Sequence, residues 1–262
     1  MRAWKPAAIL AWSVLAGCGT QMVGESALQP ATTTTGAESI ERTRARIHTE
    51  LAAGYYELGN IGVALEEAKE ALRSDANYGP CYNIAGLVYA QLKEDRLAEE
   101  HFQLALRINP YDHDANNNYG QFLCQRRKEE EAIKYFLAAV RNPLYLNPDR
   151  SYINAAVCAR RRGDTAGARD FLQLALKTRP NQPQALFQMA DIAYASGDYG
   201  GARDYLNRLM KVAQANAETL WLGVRIERRL GDRNAEASYA LQLRKNFPES
   251  REVRALNMGQ IE

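Results

Sequence analysis

The sequence predicts an all-α chain, a right-handed α-solenoid of about six helix-turn-helix repeats. Three observations predict it. The turn pairs Gly163-Asp164, Gly197-Asp198 and Gly231-Asp232 recur at intervals of 34 residues. Ala64, Ala98, Ala132, Ala168 and Ala202 keep the same ruler, each five residues past a turn position. Pro110, Pro180 and Pro248 share a third offset, where a second helix must stop because the residue before proline is pushed out of the helical region.

Composition narrows the class further. Hydrophobic residues make up 46% and charged residues 24%, ordinary for a packed soluble body. A formal net charge of +2 over 262 residues is no electrostatic footprint for nucleic acid. Four cysteines are too few for a disulfide-stapled scaffold.

The chain opens with an export signal. Arg2 and Lys5 precede the apolar run Ala7 to Leu15, which is too short to span a bilayer and suits a cleaved leader of residues 1–17. Leu15-Ala16-Gly17-Cys18 resembles a bacterial lipobox, with small residues at the cut and Cys18 as the lipidated residue. Acyl chains on Cys18 would anchor it stably, since each buried CH₂ contributes about 0.8 kcal/mol. Gly19 stands where an Asp would resemble an inner-membrane retention signal, so the expected location is the periplasmic face of the outer membrane. Cleavage removes Arg2 and Lys5, leaving 31 basic against 31 acidic residues and no net charge. Residues 18–41, with the run Thr32 to Thr35 and no apolar period, read as a flexible tether. A coil of about 20 residues spans roughly 25 Å.

Paired helices repeating every 34 residues, with small residues where the two helices cross, form the tetratricopeptide (TPR) pattern. The superhelix is expected over 42–254, with repeats at 45–78, 79–112, 113–146, 149–182, 183–216 and 217–250 and a C-terminal tail over 255–262. Each turn glycine suits a left-handed helix C-cap, and each following Asn or Asp, Asn60 included, can cap the next helix. Lys93-Glu94 and Arg127-Lys128 occupy the same offset without glycine. Phe102, Phe136, Leu172 and Leu206 follow four residues after the small position. The sixth repeat departs from the pattern, as a capping repeat should: Leu222-Gly223 arrives one residue early and Glu236 replaces the small residue. Two extra residues fall within 142–148, as an extended connection that is either a tolerated insertion or a break in superhelical twist.

Cys124 and Cys158 lie two repeat positions apart on adjacent first helices, about 3 Å along the axis, so an oxidising periplasm permits a bridge between them. The alternative is two reduced, buried thiols. Cys81 is expected to be a buried thiol. His48, His101 and His113 do not cluster at ligand spacing, so no metal or other cofactor is expected. No nucleophile elbow, phosphate loop or acid–base set is present, so the chain is not expected to be an enzyme. Arg126-Arg127-Lys128 and Arg160-Arg161-Arg162 end first helices, where they complement the helix dipole and face solvent.

A stack of helix pairs curves into a groove lined by first helices. Repeat positions 2, 5, 9 and 12 place Tyr56, Asn83, Leu87, Asn117 and Gln121 there as the expected partner-binding residues. Cys124, Ile153, Val157, Phe187, Asp191, Tyr194, Trp221 and Arg225 continue the floor in later repeats. This mixed apolar and amide surface suits an extended or helical peptide. It lacks the clustered Lys and Asn with which some TPR domains clamp a peptide's terminal carboxylate.

Three stretches go beyond generic repeats: Asn116-Asn117-Asn118-Tyr119-Gly120-Gln121-Phe122-Leu123-Cys124, Asn181-Gln182-Pro183 through Met189-Ala190-Asp191, and Leu220-Trp221-Leu222-Gly223-Val224-Arg225 with Ala237-Ser238-Tyr239-Ala240-Leu241-Gln242-Leu243. With the lipobox and six repeats, roughly residues 40–255 resemble the type IV pilus biogenesis and stability lipoproteins, the pilotin family of PilF and PilW. The resemblance implies an outer-membrane lipoprotein that binds secretin subunits through its N-terminal repeats and promotes their localisation and multimerisation. Secretin and the outer membrane are the expected partners, with no nucleic acid and no small-molecule substrate. The competing readings are a TPR lipoprotein of outer-membrane β-barrel assembly and a regulator of peptidoglycan-remodelling enzymes.

Overall fold

The computed structural model describes residues 38–260. Cys18, the leader and most of the tether lie outside the described residues. Within them the chain forms thirteen α-helices: α1 (Ile40–Glu57), α2 (Ile61–Ser74), α3 (Gly79–Gln91), α4 (Asp95–Ile108), α5 (His113–Gln125), α6 (Glu129–Ala139), α7 (Pro148–Arg161), α8 (Thr165–Thr178), α9 (Pro183–Ala195), α10 (Tyr199–Val212), α11 (Ala217–Leu230), α12 (Arg233–Asn246) and α13 (Arg251–Asn257). The first twelve pair as consecutive helical hairpins, each packed on the next, which is a TPR solenoid.

One turn geometry closes every hairpin. The amide two or three residues past the first helix donates back across it in a Schellman arrangement: Asn60 to Tyr55 O, Glu94 to Tyr89 O, Lys128 to Leu123 O, Asp164 to Ala159 O, Asp198 to Ala193 O and Asp232 to Glu227 O, all at 2.9–3.0 Å. This requires a left-handed residue just before it. Gly59, Gly163, Gly197 and Gly231 supply it, and so do Lys93 (φ 64) and Arg127 (φ 63), where a Cβ makes it unfavourable. Asp164, Asp198 and Asp232 then accept from the amides of Gly167, Gly201 and Ala235. Asn60 makes no such cap bond, contrary to expectation, and neither do Glu94 and Lys128. Side-chain capping of second helices therefore belongs to the C-terminal half.

The crossing inside each hairpin is set by one complementary pair, 16 residues apart. Where the first helix carries glycine, the second presents a ring: Gly86 against Phe102, Gly120 against Phe136, Gly223 against Tyr239. A Cβ at any of these glycines would stand 2.8–2.9 Å from a ring carbon. Where the first helix carries alanine, the partner position is smaller: Ala156 with Leu172, Ala190 with Leu206, Ala52 with Ala68, all buried. The glycine–ring and alanine–leucine pairs fill similar volumes, as close packing demands, and only the first hairpin, with Ala52 on Ala68, uses a smaller pair.

Two boundaries differ from expectation. Helix α1 begins at Ile40, inside the expected tether, because Ser39 caps it by accepting from the amide of Arg42. The C-terminal segment is not simply a tail from 255: α13 crosses that boundary, capped by Ser250, and buries Val253 and Leu256 against Leu220, Val224, Ala240 and Leu243. This short helix covers the apolar end that the sixth repeat would otherwise expose. Within the sixth repeat, Glu236 is answered by Arg228, whose Nη2 lies 2.7 Å away. At the insertion, Tyr145 is buried and its ring lies 4.6 Å from that of His113, while Leu144 and Leu146 stand exposed. Asn142 ties the loop back by donating to Tyr111 O at 2.8 Å.

Candidate functional site

Consecutive first helices pack on one another, α1 with α3, α3 with α5, α5 with α7 and α9 with α11, whereas second helices make no comparable contact with each other. First helices therefore lie on the inner side of the stack. The structure divides the expected groove residues on this side into struts and surface.

Asn117 is a strut. It is only 2% exposed, and its Oδ1 accepts from Ser151 Oγ at 2.9 Å and Asn154 Nδ2 at 3.0 Å. It is therefore corrected from a partner-binding residue to a buried polar joint between α5 and α7. Asn83 accepts from Asn118 Nδ2 at 3.2 Å, joining α3 to α5 in the same way while staying half-buried. Leu87 packs against two apolar clusters at once, one around Ala52, Ala68 and Ile84 and one around Phe102 and Tyr119. Tyr56 is half-buried against the first of these. Ile153, Tyr194 and Cys124 are buried between repeats. Gln121, one turn beyond Asn117, remains on the surface. It lines a cleft of about 170 Å³ with Gln125, Asn154, Val157 and Arg161.

The floor of that cleft carries Cys124, joined to Cys158 as a disulfide with Cα atoms 5.9 Å apart. Arg161 Nη1 donates to Cys124 O at 3.3 Å, so α5 and α7 are linked by a covalent bond, a main-chain contact and the Asn117 joint. Cys81 is buried, 3.2 Å from Thr49 Oγ1, and burial pushes its thiol pKa up. Among the described residues no group of three or more His, Cys, Asp and Glu side chains could hold a metal ion, and no helix is long and apolar enough to cross a membrane.

Sequence reasoning missed the exposed aliphatic stripe of the first helix. Ile40, Ile47, Leu51 and Leu58 are 79%, 47%, 42% and 74% exposed. Their spacing places all four on one stripe, three on α1 and Leu58 at its C-cap. The opposite face carries Ala45 and Ala52, buried against the rest of the array. Ile40 and Ile47 flank a cleft of about 380 Å³ shared with Thr43, Arg44 and His48. His48 Nδ1 lies 2.6 Å from Glu67 Oε2, fixing α1 against α2. Among the described residues no hairpin precedes α1, so an apolar stripe here is open where the same pattern in an inner repeat would be core. The signal was the doubled period, small residues on one face and large aliphatics on the other.

The comparisons with known proteins agree with this geometry. Two tetratricopeptide-repeat family profiles match the chain, one at 159–221 and the other at 49–113 and 130–183. The structure of PilF from Pseudomonas aeruginosa superposes with a TM-score of 0.75 at 28% identity, over 84% of this chain and 99% of that one. The structure of PilW, a widely conserved type IV pilus biogenesis factor, superposes with a TM-score of 0.72 at 31% identity, over 81% of this chain and 97% of that one. MamA, at 14% identity and a TM-score of 0.53, shares the fold alone. An uncharacterized protein of Haemophilus influenzae is 29% identical over 85 residues; the match spans 32% of this chain and about half, 48%, of that protein's length.

Proposed function

The chain belongs to the tetratricopeptide-repeat family of PilF and PilW, and from that premise we propose that it is an outer-membrane pilotin. It binds secretin subunits and promotes their localisation and multimerisation for type IV pilus biogenesis. The observation that carries this reading is the match over nearly the whole of PilW, at 31% identity. Cys18 bears the acyl chains, and the protein hangs on the periplasmic face of the outer membrane. The Cys124–Cys158 pair is oxidised in that compartment.

The client's docking surface is the α1 stripe, continued by Tyr56 and Asn83 on the inner side. Its occupant is a secretin segment with one apolar face. Two facts favour this placement. The stripe is an aliphatic surface left open at the N-terminal end of the array. Ile40 also follows Cys18 by only 22 residues, so a client seated there is held near the membrane. No bond is made or broken. Tethering raises the local concentration of secretin subunits, and association becomes effectively intramolecular.

The test replaces Ile47 and Leu51 together with aspartate in the lipidated protein. Secretin multimers should be lost while circular dichroism stays unchanged. Co-purification of β-barrel assembly subunits or peptidoglycan enzymes in place of secretin would overturn the reading.

A further inference from the structure

At the far end of the array, α9, α11 and α13 line a further cleft, of about 210 Å³. Helix α9 contributes Phe187 and Asp191, one turn apart. Helix α11 contributes Trp221 and Arg225, also one turn apart, and Glu218. Helix α13 closes the end with Arg251 and Glu252. The aromatic side chains are half-buried.

The charges here are paired with one exception. Asp191 accepts from Arg160 Nη2 at 2.8 Å. Glu218 accepts from Arg251 Nη2 at 2.8 Å and Glu252 from Arg251 Nε at 2.6 Å. Three carboxylates are thus answered by two arginines. Arg225 brings the group to neutrality without pairing directly with any of the three: its guanidinium carbon sits 4.3 Å from the centroid of the Tyr194 ring, and its Nε is shut from solvent with no acceptor. The hydroxyl of Tyr194, which is 8% exposed, also has no partner.

We propose that this cleft is a second binding site, for a peptide segment that presents one carboxylate beside an aromatic or branched apolar side chain. Arg225 is half-buried and forms no ion pair with a carboxylate of the described residues, and a ligand carboxylate supplies two oxygens in the geometry of its donor fork. Stacking on Tyr194 holds Arg225 in place before the ligand arrives, so little side-chain freedom is lost on binding. Phe187 and Trp221 offer the rigid aromatic contacts on which peptide recognition commonly rests. Glu218 and Glu252 flank the same cleft, so a run of acidic residues is repelled and a single carboxylate is selected. The site lies in the last two repeats and α13, away from the α1 stripe, and its occupancy does not depend on secretin.

The experiment measures anisotropy of a fluorescein-labelled, C-terminally amidated decapeptide carrying one aspartate two residues from a phenylalanine, with the purified full chain. Trp221, the only tryptophan after residue 12, reports on the cleft directly through its emission. The aspartate peptide should bind at least about tenfold more tightly than its asparagine counterpart. Arg225→Gln should abolish that preference without lowering the melting temperature. Arg225→Lys should keep part of it, and Trp221→Ala should weaken both peptides alike. A third peptide, with a free C-terminal phenylalanine and no aspartate, separates a chain-end carboxylate from a side-chain one; tight binding of it alone keeps the carboxylate chemistry and assigns it to a terminus. Equal binding of the aspartate and asparagine peptides with no binding of the third, no binding by any peptide, or an undiminished preference in Arg225→Gln overturns the proposal.

Discussion

Replacing Gly120 with alanine tests whether the glycine–ring pairs set the helix crossing. The added Cβ would stand 2.8 Å from Phe136 Cε1, 2.9 Å from Cδ1 and 3.1 Å from the carbonyl oxygen of Ala132. Phe136 is 1% exposed and clusters with Ala132, Ile133 and Leu123, so its ring can yield only toward the small cleft it lines with Gln121 and Cys124. Alanine gains about 1 kcal/mol of helix propensity over glycine. Overpacking of a close-packed site costs about 1–3 kcal/mol. The net expectation is a loss of up to about 2 kcal/mol, hence a fall in Tm of up to roughly 8 °C for a body of this size. Gly54 is the control: it lies inside α1, and a Cβ there meets nothing within 4 Å. Gly54→Ala should therefore raise Tm by roughly 2–4 °C. Adding Phe136→Leu to Gly120→Ala rebuilds the pairing found at Ala156 and Leu172, so the two changes should be coupled favourably by about 1 kcal/mol or more. Thermal and urea melts followed by far-ultraviolet circular dichroism measure all four proteins. A Gly120→Ala protein as stabilised as Gly54→Ala, or strict additivity with Phe136→Leu, would refute the reasoning.

Lys93→Gly and Arg127→Gly should each stabilise by about 1 kcal/mol, since both residues hold a left-handed conformation that glycine adopts freely; urea midpoints check this. Asp198→Ala should cost about 1 kcal/mol through the lost cap on Gly201, detectable as a lower Tm. Reducing the Cys124–Cys158 bridge, which closes a separation of 34 residues, should lower stability by roughly 3–4 kcal/mol. A mass spectrum of the unreduced periplasmic protein with both thiols free would contradict the pairing. In acid, the Asn77 amide and then Arg42 hold Asp75 below its usual range, Arg126 does so for Asp95, and the Gly167 amide and then Arg162 for Asp164. Folded values below the unfolded one mean this stabilisation is fully present above about pH 4 and is lost as pH falls through the folded values. A pH series of urea melts should show that direction.

The repeat unit was legible because its turns spell themselves out: Gly163-Asp164, Gly197-Asp198 and Gly231-Asp232 are residues chosen for a backbone conformation and a cap. Lys93 and Arg127 occupy the same conformation with no chemical sign of it, and only the ruler of 34 reveals them. Asn117 misled because its burial depends on Ser151 and Asn154, which α7 presents only after the insertion at 142–148 has set its register. The contribution of α13 was hidden by length, since seven residues with Val253 and Leu256 show too little period to mark a helix. The α1 stripe was readable as amphipathic pattern but not as exposed surface. Exposure follows from where a helix stands in the stack, and an end helix lacks the neighbour that an inner one has.

The proposed function rests on secretin assembly at the outer membrane. Its most direct measurement is the amount of heat-stable secretin multimer in outer-membrane fractions of cells that have the protein, lack it, or carry it with Cys18→Ala. Multimers should be abundant in the first, absent in the second and displaced from the outer membrane or much reduced in the third. Normal outer-membrane multimers in cells without the protein would contradict the pilotin reading outright.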